Sequence, residues 1–498
     1  MLEAYGTALC TLFQPINLLV MLAAVIIGLI VGIIPGIGGG TMVVLLLPFV
    51  FRMPTEAVLI LLVALHAVVY TSGGITAILL NMPGESSSMV TMLDGFPMTK
   101  RGEGGRAIGA AVTSSMAGGI VPVFLALAMV PVMIPIIMAF GQPEMVVLVL
   151  LGISCIAALT GSSVIKGLIS GAAGILLSLF GYHFVTGVHR FSYSSAFLYD
   201  GIGLIPLLLG LFAIAEIFHL IVRGKESITQ RALVKLSGVA EGVKDVWRHR
   251  WLWLRSSIIG YIIGIIPGIG ASVSNWVCYG QAKQTSKHPE KFGKGSVEGV
   301  IAPEAADNAK EAGALLTTMA LGIPGSAIMA LLLAAFLMVG VTPGPTMMME
   351  HLPLALTLLM GIALANIVGG VICLFASPQL VRVSSVHLDF LFPIIVIAVL
   401  IGVYVATLSP LNFVVVLVFS ILGLVMQRYG YSRPALVLGF ILGGLLENYS
   451  LLSIKLYGPL FLFRPIPLTL LVIMILLLLY PRLKRGISNL RGRPRREF

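Results

Sequence analysis

The sequence predicts an all-α polytopic membrane protein made of two inverted-topology repeats with broken, re-entrant helices. Three observations predict it. The chain of 498 residues is 58% hydrophobic and only 10% charged, whereas soluble domains carry roughly 25% charged residues. Continuous apolar runs recur along it, many near the ~20 residues that span a bilayer and none with the short alternation of barrel strands. The string GIIPGIG occurs twice, at 32–38 and 264–270. Extended leftward, GLIVGIIPGIG (28–38) and GYIIGIIPGIG (260–270) agree at nine of eleven positions, 232 residues apart.

Apolar runs and helix breakers give the elements in order. A first span, 16–34, stops at Pro35-Gly36, because proline lacks the helix-continuing N–H and glycine is a poor helix former. Runs at 41–51 and 56–70 follow, then a short run, 71–82, closed by Pro83-Gly84. A polar connection covers 85–106. Spans are expected near 107–130, 144–159, 165–180 and 201–222. The second half opens with a span at 256–266 that stops at Pro267-Gly268. A polar stretch, 281–311, precedes a short run ending at Pro324-Gly325. Apolar segments follow at 326–341, 352–375, 388–408, 413–426, 435–446 and 468–480. Ten to fourteen crossings result, since apolar runs of ten to fourteen residues also suit re-entrant segments. The expected organisation is a first transmembrane repeat (1–222), a basic cytoplasmic linker (223–255), a second transmembrane repeat (256–481) and a basic cytoplasmic tail (482–498).

A second pair of motifs supports the duplication. TAILLNMPG at 76–84 is matched by TTMALGIPG at 317–325, in the same order relative to the first pair. Charge then orients the halves. The net charge is +11, with eight Lys or Arg in 223–255, seven in 482–496 and none before Arg52. Basic segments beside spans favour the cytoplasm. The first copy of the motif thus starts outside and the second inside, which is an inverted repeat. Nucleic-acid binding by the basic tail is not expected, since no aromatic platform or folded module accompanies it. Cys10, Cys155, Cys278 and Cys373 form no C-x-x-C and read as packing residues. The N-terminus lacks the basic n-region of a cleavable signal, so the first span is expected to stay.

A helix broken inside a membrane frees N–H and C=O groups that lipid cannot satisfy. Freed carbonyls suit a cation and the N–H groups at a helix start suit an anion. The expected substrate-binding residues are Gly36, Gly38, Gly39, Thr41, Asn81, Gly84 and Ser86 in the first half, with Gly268, Gly270, Ser272, Asn275, Gly325 and Ser326 in the second. Gly40, Ser87, Ser274 and Thr318 flank them. Expected ion-coupling candidates are Pro35, Thr76, Glu85, Pro267, Glu304, Asp307, Asn308 and Thr317, with Na⁺ held by backbone carbonyls near Pro35 and Pro267. Glu304 shares a helical face with Asp307 and Asn308; this face is either a polar wall of the site or a solvated loop helix. Glu216 and Glu447 lie in apolar runs near span ends, where intramembrane and interfacial roles both remain open. His66 reads as an interhelical hydrogen-bonding residue. No H-E-x-x-H, G-x-G-D or P-loop occurs, so a zinc protease of that type and an internal ATPase are unsupported. No catalytic residue is expected.

Several strings carry a family resemblance: GLIVGIIPGIGGG, TAILLNMPGESSS, DGFPMTKRGEGG (94–105), FGKGSVEGVIAPEAADNA, LGIPGS and TPGP (342–345). From about residue 16 to past 450 the chain resembles the large membrane subunit of the tripartite tricarboxylate transporters, the TctA family. The family's motif positions fall on Pro35, Gly36, Gly38, Asn81, Pro83, Gly84, Pro267, Gly268, Gly270, Pro303, Glu304, Asn308, Pro324 and Gly325. Gly39, Ala271 and Ala320 depart from the usual pattern. The resemblance implies a multi-pass secondary transporter of a bacterial inner membrane. It implies two partners, a small four-helix membrane subunit and a periplasmic substrate-binding protein. It also implies carboxylate substrates such as citrate, with Na⁺ or H⁺ coupling and no other cofactor. The expectation is therefore carboxylate import by alternating access, with Na⁺ preferred because the tips carry few titratable groups. A passive channel for small organic anions is the alternative.

Overall fold

The computed structural model describes residues 1–34, 38–50, 53–160, 163–183, 187–222, 237–267, 270–383 and 388–476. The first half contains α1 (Leu2–Leu12), α2 (Pro15–Ile33), α3 (Gly39–Leu46), α4 (Thr55–Leu80), α5 (Met89–Lys100), α6 (Gly104–Met138), α7 (Gln142–Thr160) and α8 (Val164–Ser178). A two-stranded hairpin, β1 (Gly181–Tyr182) and β2 (His189–Arg190), leads to α9 (Leu204–Leu208), a π-helical segment (Leu209–Ile214) and α10 (Ala215–Val222). The second half contains α11 (Val239–Arg248), α12 (Arg250–Ile265), α13 (Gly270–Thr285), α14 (Glu298–Leu321), α15 (Ala327–Met338), α16 (Pro345–Glu350), α17 (Leu352–Val383), α18 (Leu388–Thr407), α19 (Asn412–Arg428) and α20 (Arg433–Tyr457). Among the described residues, α2, α4, α6, α17 and α20 are long and apolar enough to cross a membrane, and several shorter apolar helices accompany them. The all-α polytopic expectation holds.

Three departures from the sequence reading have clear causes. The runs 56–70 and 71–82 are one helix, α4, because Gly73 and Gly74 do not break it. They are the points where Ser88 and Glu304 pack against its backbone. The stretch 85–106 contains α5, and most of 281–311 lies in helices, its end inside α14. Two further helices, α1 and the strongly amphipathic α11, were not expected. Residues 223–236 of the linker and the whole basic tail lie outside the described residues.

The chain divides into two compact units, residues 1–137 with 202–429, and 138–201 with 430–498. In the second, glycines let helices touch: Gly439 of α20 packs on the carbonyl of Gly171 of α8. Arg190 of the hairpin grips Glu447 of α20 with two hydrogen bonds of 2.6 and 2.8 Å. Glu447 is thereby held in a fork-to-fork ion pair.

The first unit holds both copies of the sequence motif, and they fold alike. Helix α2 packs on α4 through Gly28 and Gly32, which face the backbone of Leu65 and Val69. Helix α12 packs on α14 through Gly260 and Gly264, which face Ala306 and Lys310. Ile34 and Ile266 each precede the proline and take the same extended conformation, φ −81°, ψ 108° and φ −79°, ψ 117°. Proline disfavours the helical region for the residue before it, and this ends both helices. Helices α4 and α14 also end alike, at Asn81 (φ 57°) and Gly322 (φ 69°), each left-handed and two residues before Pro83 or Pro324.

The two inner helices run antiparallel. His66 bonds Glu311, Thr71 bonds Asn308, and Gly74 faces Glu304, so position rises along α4 as it falls along α14. Matched helices of the two halves thus lie in opposite directions, as an inverted repeat requires.

Candidate functional site

Each Pro-Gly tip packs on the helix that precedes the break of its own half. A Cβ on Gly84 would collide with the carbonyl of Gly32 and lie 2.7 Å from Gly73 Cα. In the second half, a Cβ on Gly325 would lie 2.7 Å from Ala314 Cα and 3.0 Å from the carbonyl of Gly264. Thr76 Oγ1 donates to the carbonyl of Gly73 at 3.0 Å. Thr317 Oγ1 lies 3.0 Å from the carbonyls of both Ile265 and Gly313. Thr318 Oγ1 reaches the carbonyl of Ala314 at 2.6 Å and accepts from Gly325 N at 3.3 Å. Ser326 caps α15 by accepting from Met329 N at 3.2 Å.

The halves then interlock. Gly40 of α3 packs against Ile328 and Leu331 of α15. Reciprocally, Asn275 of α13 donates to the carbonyl of Ser87 at 3.1 Å. Ser87 Oγ donates to Asp307 at 2.8 Å, and Thr91 Oγ1 donates to Glu304 at 2.6 Å. Asn308 donates to Thr71 at 2.9 Å and to Asn366 of α17 at 2.6 Å, while Thr71 and Ser115 of α6 are 3.0 Å apart. Glu304, Asp307 and Asn308 are all buried, so their face is a polar wall inside the protein and not a solvated helix.

Gly38 and Gly39 sit at the start of α3, where the Gly39 N–H donates to Glu85 at 2.5 Å. A carboxylate of the protein thus already occupies the N–H end of that helix, the position sequence reasoning gave to a substrate carboxylate. Thr41 is buried one turn on. Asn81 and Ser86 are exposed. Pro267 forms a turn after α12, and Gly270 and Ser272 lie in the first turn of α13. Pro35, Gly36 and Gly268 lie outside the described residues.

Sequence reasoning missed three members of the cluster. Asp94 is buried and accepts from Gly295 N at 2.8 Å, Ser296 N at 2.7 Å and Tyr279 OH at 2.9 Å. Lys310 and Glu311 are buried and paired with each other. Glu311 also bonds His66 at 2.7 Å, confirming His66 as an interhelical hydrogen-bonding residue. The Lys310 ammonium lies 4.4 Å from the centre of the Tyr70 ring. The signal for the last two was their proximity to APEAADNA, which the polar composition disguised as a loop.

The site is a junction of hydroxyl, amide and carboxylate oxygens with one ammonium. Among the described residues, buried oxygens of Glu304, Asp307, Asn275, Ser274 and Ser88 lack a hydrogen-bond partner. Such oxygens suit a hard cation or a proton. No cluster of three or more His, Cys, Asp or Glu with metal-holding geometry occurs among the described residues.

Residues 18–438 match the tripartite tricarboxylate transporter TctA family. An Agrobacterium vitis protein described as "Uncharacterized 52.8 kDa protein in TAR-I ttuC' 3'region" is 33% identical over 439 residues, covering 88% of this chain and 87% of its own. A second, "Uncharacterized protein in TAR-II ttuC' 3'region" of the same organism, is 34% identical over 190 residues, 38% of this chain and 78% of its own. No solved structure matches. With the match covering most of its length, the chain belongs to the tripartite tricarboxylate transporter TctA family.

Proposed function

We propose that this chain is the transporting membrane subunit of a carboxylate importer that works by alternating access. The observation that carries the reading is the matched packing of the two Pro-Gly tips, Gly84 on Gly32 and Gly325 on Gly264, beside antiparallel α4 and α14. Broken helices at corresponding places in two opposed repeats form substrate sites in secondary transporters. Backbone N–H groups at the start of α13, with nearby hydroxyls, would hold carboxylates, while Glu85 fills the corresponding place at the start of α3. The coupling ion would be Na⁺, held by the break carbonyls near Pro35 and Pro267 and by oxygens of the Glu304–Asp307 face. A second reading, H⁺ coupling, draws support from the buried acids Glu304, Asp307 and Glu311.

The working assembly would include a small four-helix membrane subunit and a periplasmic protein that delivers substrate. It would sit in a bacterial-type inner membrane with the central linker and C-terminus in the cytoplasm. Uptake of labelled citrate and shorter di-acids into proteoliposomes, with the periplasmic protein supplied, tests the reading. Accumulation against a gradient that collapses when choline replaces Na⁺ is expected. Uptake that follows ΔpH and ignores Na⁺ would assign the coupling to H⁺. Downhill flux without any coupling gradient or delivery protein would replace the transporter by a channel.

A further inference from the structure

Lys310 is 1% exposed and is paired with its sequence neighbour Glu311. Neighbouring residues on a helix point about 100° apart and do not naturally face each other. Their ion pair joins no two helices. The hydrogen bond between α4 and α14 at this level is made by His66 and Glu311, and the ammonium adds only its contact with the Tyr70 ring of α4. The repeat gives an internal control. The position matching Lys310 in the first half is Val69, whose backbone packs on Gly32 as that of Lys310 packs on Gly264. An apolar side chain therefore satisfies the scaffold at this place, and the ammonium has another use.

Its surroundings define that use. The ammonium has three donors, and Glu311 is its one hydrogen-bond partner among the described residues. Glu85, whose carboxylate sits at the start of α3, lies within Coulombic reach of Lys310 and His66. Asp307 is within reach as well. Glu311 is already held by His66 through its other oxygen, so losing Lys310 would not strand it. We infer that Lys310 is the carboxylate-binding ammonium of the site and that Glu311 holds its place until a substrate carboxylate displaces it. The inference rests on the carboxylate-import reading above. Glu85, Asp307 and Glu311 stand near this one ammonium, so a carboxylate that joins them would need a cation or a proton beside it.

The test is ligand-dependent thermal stabilisation of the full-length protein in detergent, at fixed Na⁺, with citrate, succinate and acetate as probes. Proteoliposome uptake is measured in parallel. Lys310→Gln should raise the apparent Kd about tenfold or more, the loss expected for one charge-assisted hydrogen bond. Glu311→Gln should shift it the other way, since it removes the competitor. The double variant, Lys310→Gln with Glu311→Gln, keeps a neutral pair and guards against misfolding; it should bind as weakly as Lys310→Gln alone. A merely structural pair would give weaker binding in both single variants and recovery in the double. That result, or unchanged binding by Lys310→Gln, would overturn the inference while leaving wild-type import intact. Wild-type protein that neither binds nor imports any of the three acids would overturn the import reading and this assignment together.

Discussion

Gly84 rests directly on the carbonyl of Gly32, leaving no room for a side chain between them. The contact seats the tip on the last turn of α2, and Gly325 repeats it on Gly264. Gly84→Ala would push the tip off the backbone it covers, and backbone cannot yield as a flexible side chain can. A loss of about 1–3 kcal/mol, typical of overpacking, is expected. Uptake should fall with it, and Gly325→Ala should act likewise. Gly280, inside α13, has open space where a Cβ would stand; Gly280→Ala should leave uptake unchanged and hold or raise the melting temperature, since alanine suits a helix interior better than glycine.

Gly36→Val and Gly268→Val should abolish uptake while leaving the protein in the membrane. Glycine at these positions lets a ligand approach the backbone closely. Membrane fractionation with immunoblotting separates this outcome from loss of the protein. Normal uptake by both variants would remove the tips from the mechanism.

Asp94 gathers two backbone N–H groups and the Tyr279 hydroxyl, and so pins the segment before α14. Tyr279→Phe should cost about 1 kcal/mol, the net worth of an ordinary hydrogen bond. Asp94→Asn, which replaces an acceptor oxygen by a donor against two N–H groups, should cost about 1–3 kcal/mol. Thermal unfolding in detergent measures both, and a larger loss for Tyr279→Phe than for Asp94→Asn would contradict the geometry.

Opposed entry of the two halves is checked by labelling. Glu3 in α1 and Ala240 in α11 are exposed. With exposed Cys10 replaced by serine, Glu3→Cys should react with an impermeant maleimide from outside the cell. Ala240→Cys should react only after permeabilisation. Labelling of both from one side would contradict the inverted arrangement.

Much of the fold was legible because proline and glycine act locally. Pro35 and Pro267 set the conformations of Ile34 and Ile266, so the breaks, their pairing and the helices before them could be read directly. The polar stretch 281–311 was not legible in the same way. Its residues are hidden by partners more than 200 positions away: His66 for Glu311, Ser87 for Asp307, Thr91 for Glu304. Hydropathy registers such a segment as a solvated connection. Asp94 escaped for the same reason, since its partners at 279, 295 and 296 come from the other half. Glu85 was singled out by its place beside Pro83-Gly84. That its own carboxylate would occupy the start of α3 has no signature along the chain.

The antiparallel meeting of α4 and α14 has a consequence for how the protein is made. The buried acids of α14 find hydrogen-bond partners on segments synthesised long before, across the central linker. A C-terminal half inserted by itself would hold Glu304, Asp307 and Glu311 without the first-half residues that receive them, and uncompensated ionisable groups are costly in lipid. The shared polar seam thus acts as an assembly checkpoint: helix α14 becomes a comfortable resident of the bilayer only after the first half has docked against it. Two separately expressed halves should survive together and be degraded apart.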